Sequence, residues 1–203
     1  MPPYFSKQDL DIKQFAQLCS QTVELTDYPL ASDVERNILI YDGDAVREAL
    51  ADPDTEAALQ AELCRALKDG PGVFAVSGAY ADVGVIERTT AVFKSIIAAE
   101  KAAGQGQGDH FGTNERIWNS LQKQAVSDPD LFIDYYGNPV LALASRAWLG
   151  PHYQMTAQVN IVKPGGKAQS AHRDYHLGFQ SRGTIAHYPA HAQAMSQYLT
   201  LQG

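Results

Sequence analysis

The chain has 203 residues, of which 45% are hydrophobic and 19% are charged. These fractions are typical of a globular protein and exclude a disordered chain or a coiled coil. The formal net charge of −7 would repel a phosphate backbone, so we do not expect nucleic-acid binding.

Cysteine usage and the apolar runs predict a cytoplasmic protein. Cys19 and Cys64 lie far apart and outside any metal-binding spacing, so we interpret them as reduced thiols. The N-terminus lacks the basic and apolar regions of a signal peptide, and no apolar run approaches the roughly 20 residues that cross a bilayer. We therefore expect neither secretion nor a membrane partner.

Residues 1–150 are predicted to be mainly helical. Apolar residues recur at three-to-four spacing over residues 54–68, which is typical of an amphipathic helix. A short apolar run bounded by glycines predicts a buried strand at about residues 72–77. Three further helices are expected, over residues 82–103, 114–126 and 139–149.

The pattern changes to strand after Pro151. Apolar and polar residues alternate over residues 152–163, and a Pro-Gly-Gly turn leads into a second extended segment at residues 168–179. We expect these two segments to pair as a hairpin, and residues 198–203 to begin another strand. The sequence therefore predicts an α+β fold in which residues 151–203 supply the first strands of the main sheet.

The second extended segment contains His172 and Asp174. Residues two apart on a strand project to the same face, so the imidazole and the carboxylate are expected side by side. Two histidines and one carboxylate hold Fe(II) in non-haem oxygenases, and this segment supplies one histidine and the carboxylate. The alternative interpretation is a hydrogen-bonded pair that fixes the end of a strand.

A third ligand is not evident from the spacing. His176 lies on the same face, but three ligands along one strand span about 13 Å, which is too far to meet at one ion. His187 and His191 are four residues apart and are interpreted as part of a polar surface helix. We expect His176 to contact substrate instead.

Two blocks of the sequence follow an arrangement known from one family. Residues 158–174 contain an extended stretch, a Lys-Pro-Gly-Gly turn, a glutamine and then His-Arg-Asp. Residues 67–80 contain a helix end, a glycine turn and a strand that ends in glycine followed closely by tyrosine. In this order the blocks resemble the phytanoyl-CoA dioxygenase family of Fe(II)- and 2-oxoglutarate-dependent oxygenases.

The resemblance implies a fold, a reaction and a set of site residues. Such enzymes fold as a double-stranded β-helix, or jelly roll, flanked by N-terminal helices. They couple the oxidative decarboxylation of 2-oxoglutarate to the hydroxylation of a small organic substrate. By this likeness His172 and Asp174 would bind iron, and Asn160 and Gln169 would contact 2-oxoglutarate.

The chain departs from the family in one respect. The family's second iron histidine and its 2-oxoglutarate arginine lie on later strands, whereas only 29 residues follow Asp174 here. A jelly roll needs about eight strands, so we expect a single, incomplete domain that is the N-terminal part of such an enzyme. A non-catalytic jelly-roll-like module that uses His172 and Asp174 structurally is the alternative, and the oligomeric state is not predicted.

Overall fold

The structure is a computed structural model that describes residues 1–104, 114–167, 174, 177–178 and 180–203. Within these residues the α-helices are α1 (Ile12–Cys19), α2 (Gly43–Ala49), α3 (Pro53–Lys68), α4 (Gly84–Ala102), α5 (Ser120–Ser127), α6 (Pro129–Tyr136), α7 (Pro139–Leu149), α8 (Arg182–Ile185) and α9 (Ala190–Gln197). The strands in the same residues are β1 (Asp33–Glu35), β2 (Ile38–Asp42), β3 (Phe74–Ser77), β4 (Glu115–Ile117) and β5 (Val159–Ile161). None of the helices described here combines the length and the hydropathy that crossing a bilayer requires.

Aspartate residues fix the starts of several helices. The carboxylates of Asp11, Asp42 and Asp52 accept hydrogen bonds from backbone N–H groups in the first turns of α1, α2 and α3. Asp128 does the same for α6. These N–H groups have no partner within the helix, so the carboxylates stabilise the helix ends. Prolines follow Asp52 and Asp128, at positions where a helix tolerates proline.

The chain forms two compact units. The first contains Met1–Ser77, Leu143–Tyr153 and His172–Gly203, and the second contains Gly78–Ala142 and Gln154–Ala171. Each unit has its own small sheet: β1, β2 and β3 lie in the first unit, and β4 and β5 lie in the second. The described residues therefore form a mixed α+β protein without a closed barrel.

The sheet of the first unit begins with a tight hairpin. β1 and β2 are antiparallel, and Arg36 and Asn37 between them both have positive φ, at 51° and 69°. This sign pattern is that of a type I′ turn, whose twist matches a two-stranded ribbon. The Asn37 side chain ties the turn to the preceding loop, because it accepts a hydrogen bond from Val23 N at 2.7 Å and donates one to the Gln21 carbonyl at 2.8 Å.

A buried carboxylate joins three segments of the first unit. Glu62 of α3 is 6% exposed and accepts hydrogen bonds from the hydroxyl of Tyr41 at 3.1 Å and from Leu30 N at 3.2 Å. Tyr41 of β2 is fully buried, and its burial together with the Glu62 carboxylate raises its pKa above the ordinary tyrosine value. A buried charge is tolerated only when it is hydrogen-bonded, so these contacts hold the loop, the sheet and the helix together.

We expect Tyr41→Phe to lower the free energy of unfolding by about 1–3 kcal/mol, because the buried carboxylate loses a hydrogen-bond donor. Urea unfolding followed by circular dichroism measures the change. Tyr4→Phe is the matched control, since Tyr4 is 55% exposed. Equal unfolding midpoints for the two variants would contradict this role for Tyr41.

The core of the second unit lies between α4 and the two-stranded sheet of β4 and β5. Phe93 and Ile97 of α4 and Ile117 of β4 are buried together, and the partly buried Ile96, Val159 and Ile161 pack against them. β4 and β5 are antiparallel, with Arg116 opposite Asn160. The pairing of β4 with β5 brings residues more than forty positions apart in sequence into one sheet.

Tyrosines stabilise a second part of this unit. The rings of Tyr80 and Tyr135 stack with centroids 5.4 Å apart, and the Tyr80 hydroxyl donates a hydrogen bond to the Tyr135 carbonyl at 2.8 Å. Burial raises the pKa of Tyr80 to about 12. The hydroxyl therefore remains a neutral donor under ordinary conditions.

The helix predictions agree with the structure more closely than the strand predictions. α3 and α7 confirm the helices over residues 54–68 and 139–149, and α4 covers most of residues 82–103. The helix expected over residues 114–126 is wrong in its first part, where β4 precedes α5. Ile117 enters the core from an extended chain, because β5 supplies hydrogen-bond partners for it.

The expected strands that the structure describes are shorter than predicted or absent. Only Val159–Ile161 of residues 152–163 is a strand, and it pairs with β4. The expected pairing of this strand with the segment after the turn stays a prediction. Most of residues 168–179 lies outside the described residues. The strand expected over residues 198–203 is not formed, since α9 ends at Gln197 and the following residues carry no regular structure.

Candidate functional site

Asp174 is the one member of the predicted iron pair that the structure describes. It lies in the first unit and is exposed, and its Oδ2 accepts a hydrogen bond from Gln202 Nε2 at 2.5 Å. A hydrogen bond to one oxygen fixes the rotation of a carboxylate, and this restricts the direction in which the other oxygen points. His172 and His176 lie outside the described residues, so the structure leaves their predicted roles untested.

Gln202 is held near Asp174 by an aromatic contact that the sequence did not indicate. Trp148 of α7 donates a hydrogen bond from Nε1 to the carbonyl of Thr200 at 2.9 Å. Its ring packs against Tyr198 with centroids 5.9 Å apart. The chain after α9 is therefore fixed to α7, and Gln202 follows two residues later. No motif or spacing links residues 148, 174 and 202, so sequence reasoning missed this arrangement.

The donor chemistry of Asp174 suits a divalent metal, although the described residues supply no complete ligand set. Carboxylate oxygen is one of the donors in the two-histidine, one-carboxylate site of Fe(II). No group of three His, Cys, Asp or Glu side chains lies together within the part of the chain that the structure describes. His187 follows α8 and His191 lies on α9, so these exposed histidines do not share one helix as expected.

Asn160 lies on β5 in the second unit. It is exposed and pairs in register with Arg116 of β4. Gln169, the other predicted 2-oxoglutarate contact, falls outside the described residues. The position of Asn160 on a strand agrees with the alternation seen in the sequence, while its predicted contact with 2-oxoglutarate stays a prediction.

Asn114 holds the turn that precedes the His-Arg-Asp segment. Its Oδ1 accepts a hydrogen bond from Lys163 N at 3.3 Å, and its Nδ2 donates one to the Lys167 carbonyl at 3.1 Å. A Cβ atom at Gly166 would collide with the Asn114 amide and lie 2.9 Å from the Lys163 carbonyl oxygen, so glycine is the residue that fits the turn with Asn114 in place. The Pro-Gly-Gly turn was evident from the sequence, whereas its buried anchor was not.

We expect Asn114→Ala to lower the free energy of unfolding by about 1–3 kcal/mol, because Lys163 N and the Lys167 carbonyl lose their partner. Thermal and urea unfolding measure the loss. Gln122→Ala serves as the control, since Gln122 is an exposed amide side chain on α5. A variant as stable as this control would show that the turn does not depend on Asn114.

Glu115 of β4 forms ion pairs with Lys101 of α4 and with Lys163, which follows β5. Its Oε1 accepts hydrogen bonds from the ammonium groups of Lys101 and Lys163, the latter at 2.7 Å. The hydrogen bond from Lys101 has the largest effect on the pKa of the Glu115 carboxyl and lowers it below its ordinary value. The hydrogen bond from Lys163 lowers the same pKa further. Charged donors stabilise the ionised form of a carboxyl group, which explains the direction of this shift.

The lowered pKa of Glu115 fixes the sign of a pH effect. The ion pairs stabilise the folded chain above the ordinary glutamate pKa, and this contribution is lost as the pH falls through the folded pKa. We expect NMR titration of the Glu115 carboxyl to show the low pKa, and Lys163→Gln to raise it. Lys13→Gln, a change of an exposed lysine on α1, should leave it unaltered. An unchanged midpoint in Lys163→Gln would contradict the assignment.

The fold and the site define a mixed α+β protein in which an exposed carboxylate follows a strand and a glycine turn. The family model described as phytanoyl-CoA dioxygenase (PhyH) matches residues 41–196, which is more than half of the chain. The chain therefore belongs to the phytanoyl-CoA dioxygenase family, and the resemblance seen in the sequence is confirmed. Neither the curated proteins nor the solved structures contain a match to this chain.

Family membership supports a dioxygenase of the general Fe(II)- and 2-oxoglutarate-dependent type. The matched residues include the strand with Asn160, the glycine turn and Asp174. They also include the last two residues of β2 and all of α3 and β3 in the first unit.

Proposed function

We propose that this protein is an Fe(II)- and 2-oxoglutarate-dependent dioxygenase that hydroxylates a small organic substrate in the cytoplasm. The observation that carries the proposal is the family match across residues 41–196, which contains the His-Arg-Asp motif of residues 172–174. The cytoplasmic location is supported by Cys19 and Cys64, which are both free. Completion of the sheets to a jelly roll is part of the same proposal.

In this proposal His172 and Asp174 hold the iron. Bound iron supplies the activation of oxygen and the coupled oxidation of 2-oxoglutarate and substrate. Asp174 contributes a charged oxygen donor, and the hydrogen bond from Gln202 Nε2 to Oδ2 orients its carboxylate. Gln202 is then a positioning residue, because it acts on the metal only through the Asp174 carboxylate.

Asn160 and Gln169 are proposed to hydrogen-bond 2-oxoglutarate, and His176 to contact the substrate. An amide side chain offers both donors and an acceptor, so it can bind either the keto or the carboxylate oxygens. The exposure of Asn160 on β5 leaves its amide accessible to a ligand.

The competing proposal is a non-catalytic binding module in which His172 and Asp174 are structural. The Gln202–Asp174 hydrogen bond favours this alternative, because it gives the carboxylate a role in holding the last residues of the chain. The two proposals differ in one measurable property, which is iron-dependent turnover of 2-oxoglutarate.

The test uses the full-length protein, with any residues that follow Gly203, and measures Fe(II) binding by anaerobic calorimetry and succinate formation from 2-oxoglutarate in the presence of ascorbate. We expect His172→Ala and Asp174→Asn each to weaken Fe(II) binding by about tenfold or more and to abolish succinate formation. His191→Ala and Asp134→Asn are the matched controls, since both side chains are exposed and lie on helices α9 and α6.

The possible outcomes separate the two proposals. Fe(II) binding and succinate formation that depend on both residues would support the dioxygenase. Absence of Fe(II) binding and of succinate formation by the unaltered full-length protein would overturn it. Unfolding of the chain in Asp174→Asn, without any measurable metal binding by the unaltered chain, would favour the structural module.

A further inference from the structure

A basic groove lies on the second unit, between α4 and the two-stranded sheet of β4 and β5. Its volume is about 390 Å³, within the roughly 300–1,000 Å³ of small-molecule sites. We define the basic groove by its three lysines, its acidic residue and its two isoleucines, which are Lys94, Lys101, Lys163, Glu115, Ile97 and Ile161.

The helix periodicity of α4 explains why these residues meet. Lys94, Ile97 and Lys101 follow one another at spacings of three and four, so they lie along one face of the helix. Ile97 is part of the buried core and Ile161 of β5 packs against it. The groove therefore has an apolar floor.

The charges of the groove do not cancel. Three ammonium groups face one carboxylate, which leaves a formal charge of +2 in a chain whose net charge is −7. Glu115 pairs with Lys101 and Lys163, whereas Lys94 has no ion-pair partner among the residues that the structure describes. An ammonium group has three N–H donors, so even the paired lysines retain donors for a ligand.

We propose that the basic groove binds a small carboxylate with an apolar body. The carboxylate would pair with Lys94, which is exposed, and the apolar body would cover Ile97 and Ile161. A neutral apolar molecule would form no ion pair with the lysines, and a small hydrated anion would make no apolar contact with Ile97 and Ile161. This site is independent of the proposed iron chemistry, since none of its residues belongs to the proposed iron or 2-oxoglutarate contacts.

The test uses NMR titration of the full chain with hexanoate as the probe. We expect hexanoate to shift the amide resonances of the groove, while hexanamide, which lacks the charge, and acetate, which lacks the apolar body, do so much more weakly. Binding should weaken as salt is added, because the ammonium groups are exposed to solvent. The measurement does not depend on iron, so failure of the proposed enzyme activity does not affect it.

Lys94→Gln is expected to weaken hexanoate binding by about two- to fivefold, the range of an exposed ion pair. Lys7→Gln, a change of an exposed lysine in the first unit, should leave the affinity unchanged. An unchanged thermal midpoint in both variants shows that the fold is retained. Equal binding of hexanoate and hexanamide, equal affinities of the two variants, or no shifts in the groove would each overturn the proposal.

Discussion

The first unit depends on the burial of the Glu62 carboxylate. Once this charge is removed from water, each contact that satisfies it becomes costly to lose, and those contacts come from separate parts of the chain. Tyr41 donates from β2 and Leu30 N from the preceding loop, while Glu62 itself lies on α3. The sheet, the loop and the helix are therefore stabilised as one unit, and the chain after α9 attaches to this unit through Trp148.

The surroundings of Asp174 show how a loop residue obtains a defined orientation. Asp174 belongs to no helix or strand, yet Gln202 contacts its carboxylate, and Gln202 follows a segment anchored on α7. Orientation of a ligand by a neighbouring hydrogen bond is general in metal sites. The same contact is equally suited to a structural carboxylate, which is why turnover rather than geometry separates the two proposed functions.

Local patterns predicted the helices, and non-local contacts explain what the sequence could not predict. α3 and α7 have regular apolar spacing and clear ends, so a short window of sequence was sufficient to identify them. β4 has three residues, and it is extended because β5, more than forty positions away, pairs with it. The helix predicted over residues 114–126 was inferred from those residues alone, so the pairing with β5 could not enter the prediction.

For the candidate site, the local motifs could be predicted from the sequence, whereas the long-range contacts could not. The His-Arg-Asp motif and the glycine turn are local and identified the family, which the match over residues 41–196 confirms. The contacts of Asp174 with Gln202 and of the turn with Asn114 join residues far apart in the chain. The expectation that the chain is the N-terminal part of a longer enzyme stays a prediction.

The contact between Asn114 and Gly166 has a consequence for the divergence of this sequence. A side chain at position 166 would occupy the space of the Asn114 amide, so the two positions cannot vary independently. A homologue that acquires alanine at 166 is expected to carry a smaller residue at 114, another anchor for the loop and a shifted Lys163 carbonyl, whose oxygen lies 2.9 Å from the same Cβ position. Covariation of these two positions, rather than strict invariance of either, is the evolutionary trace that this packing would leave.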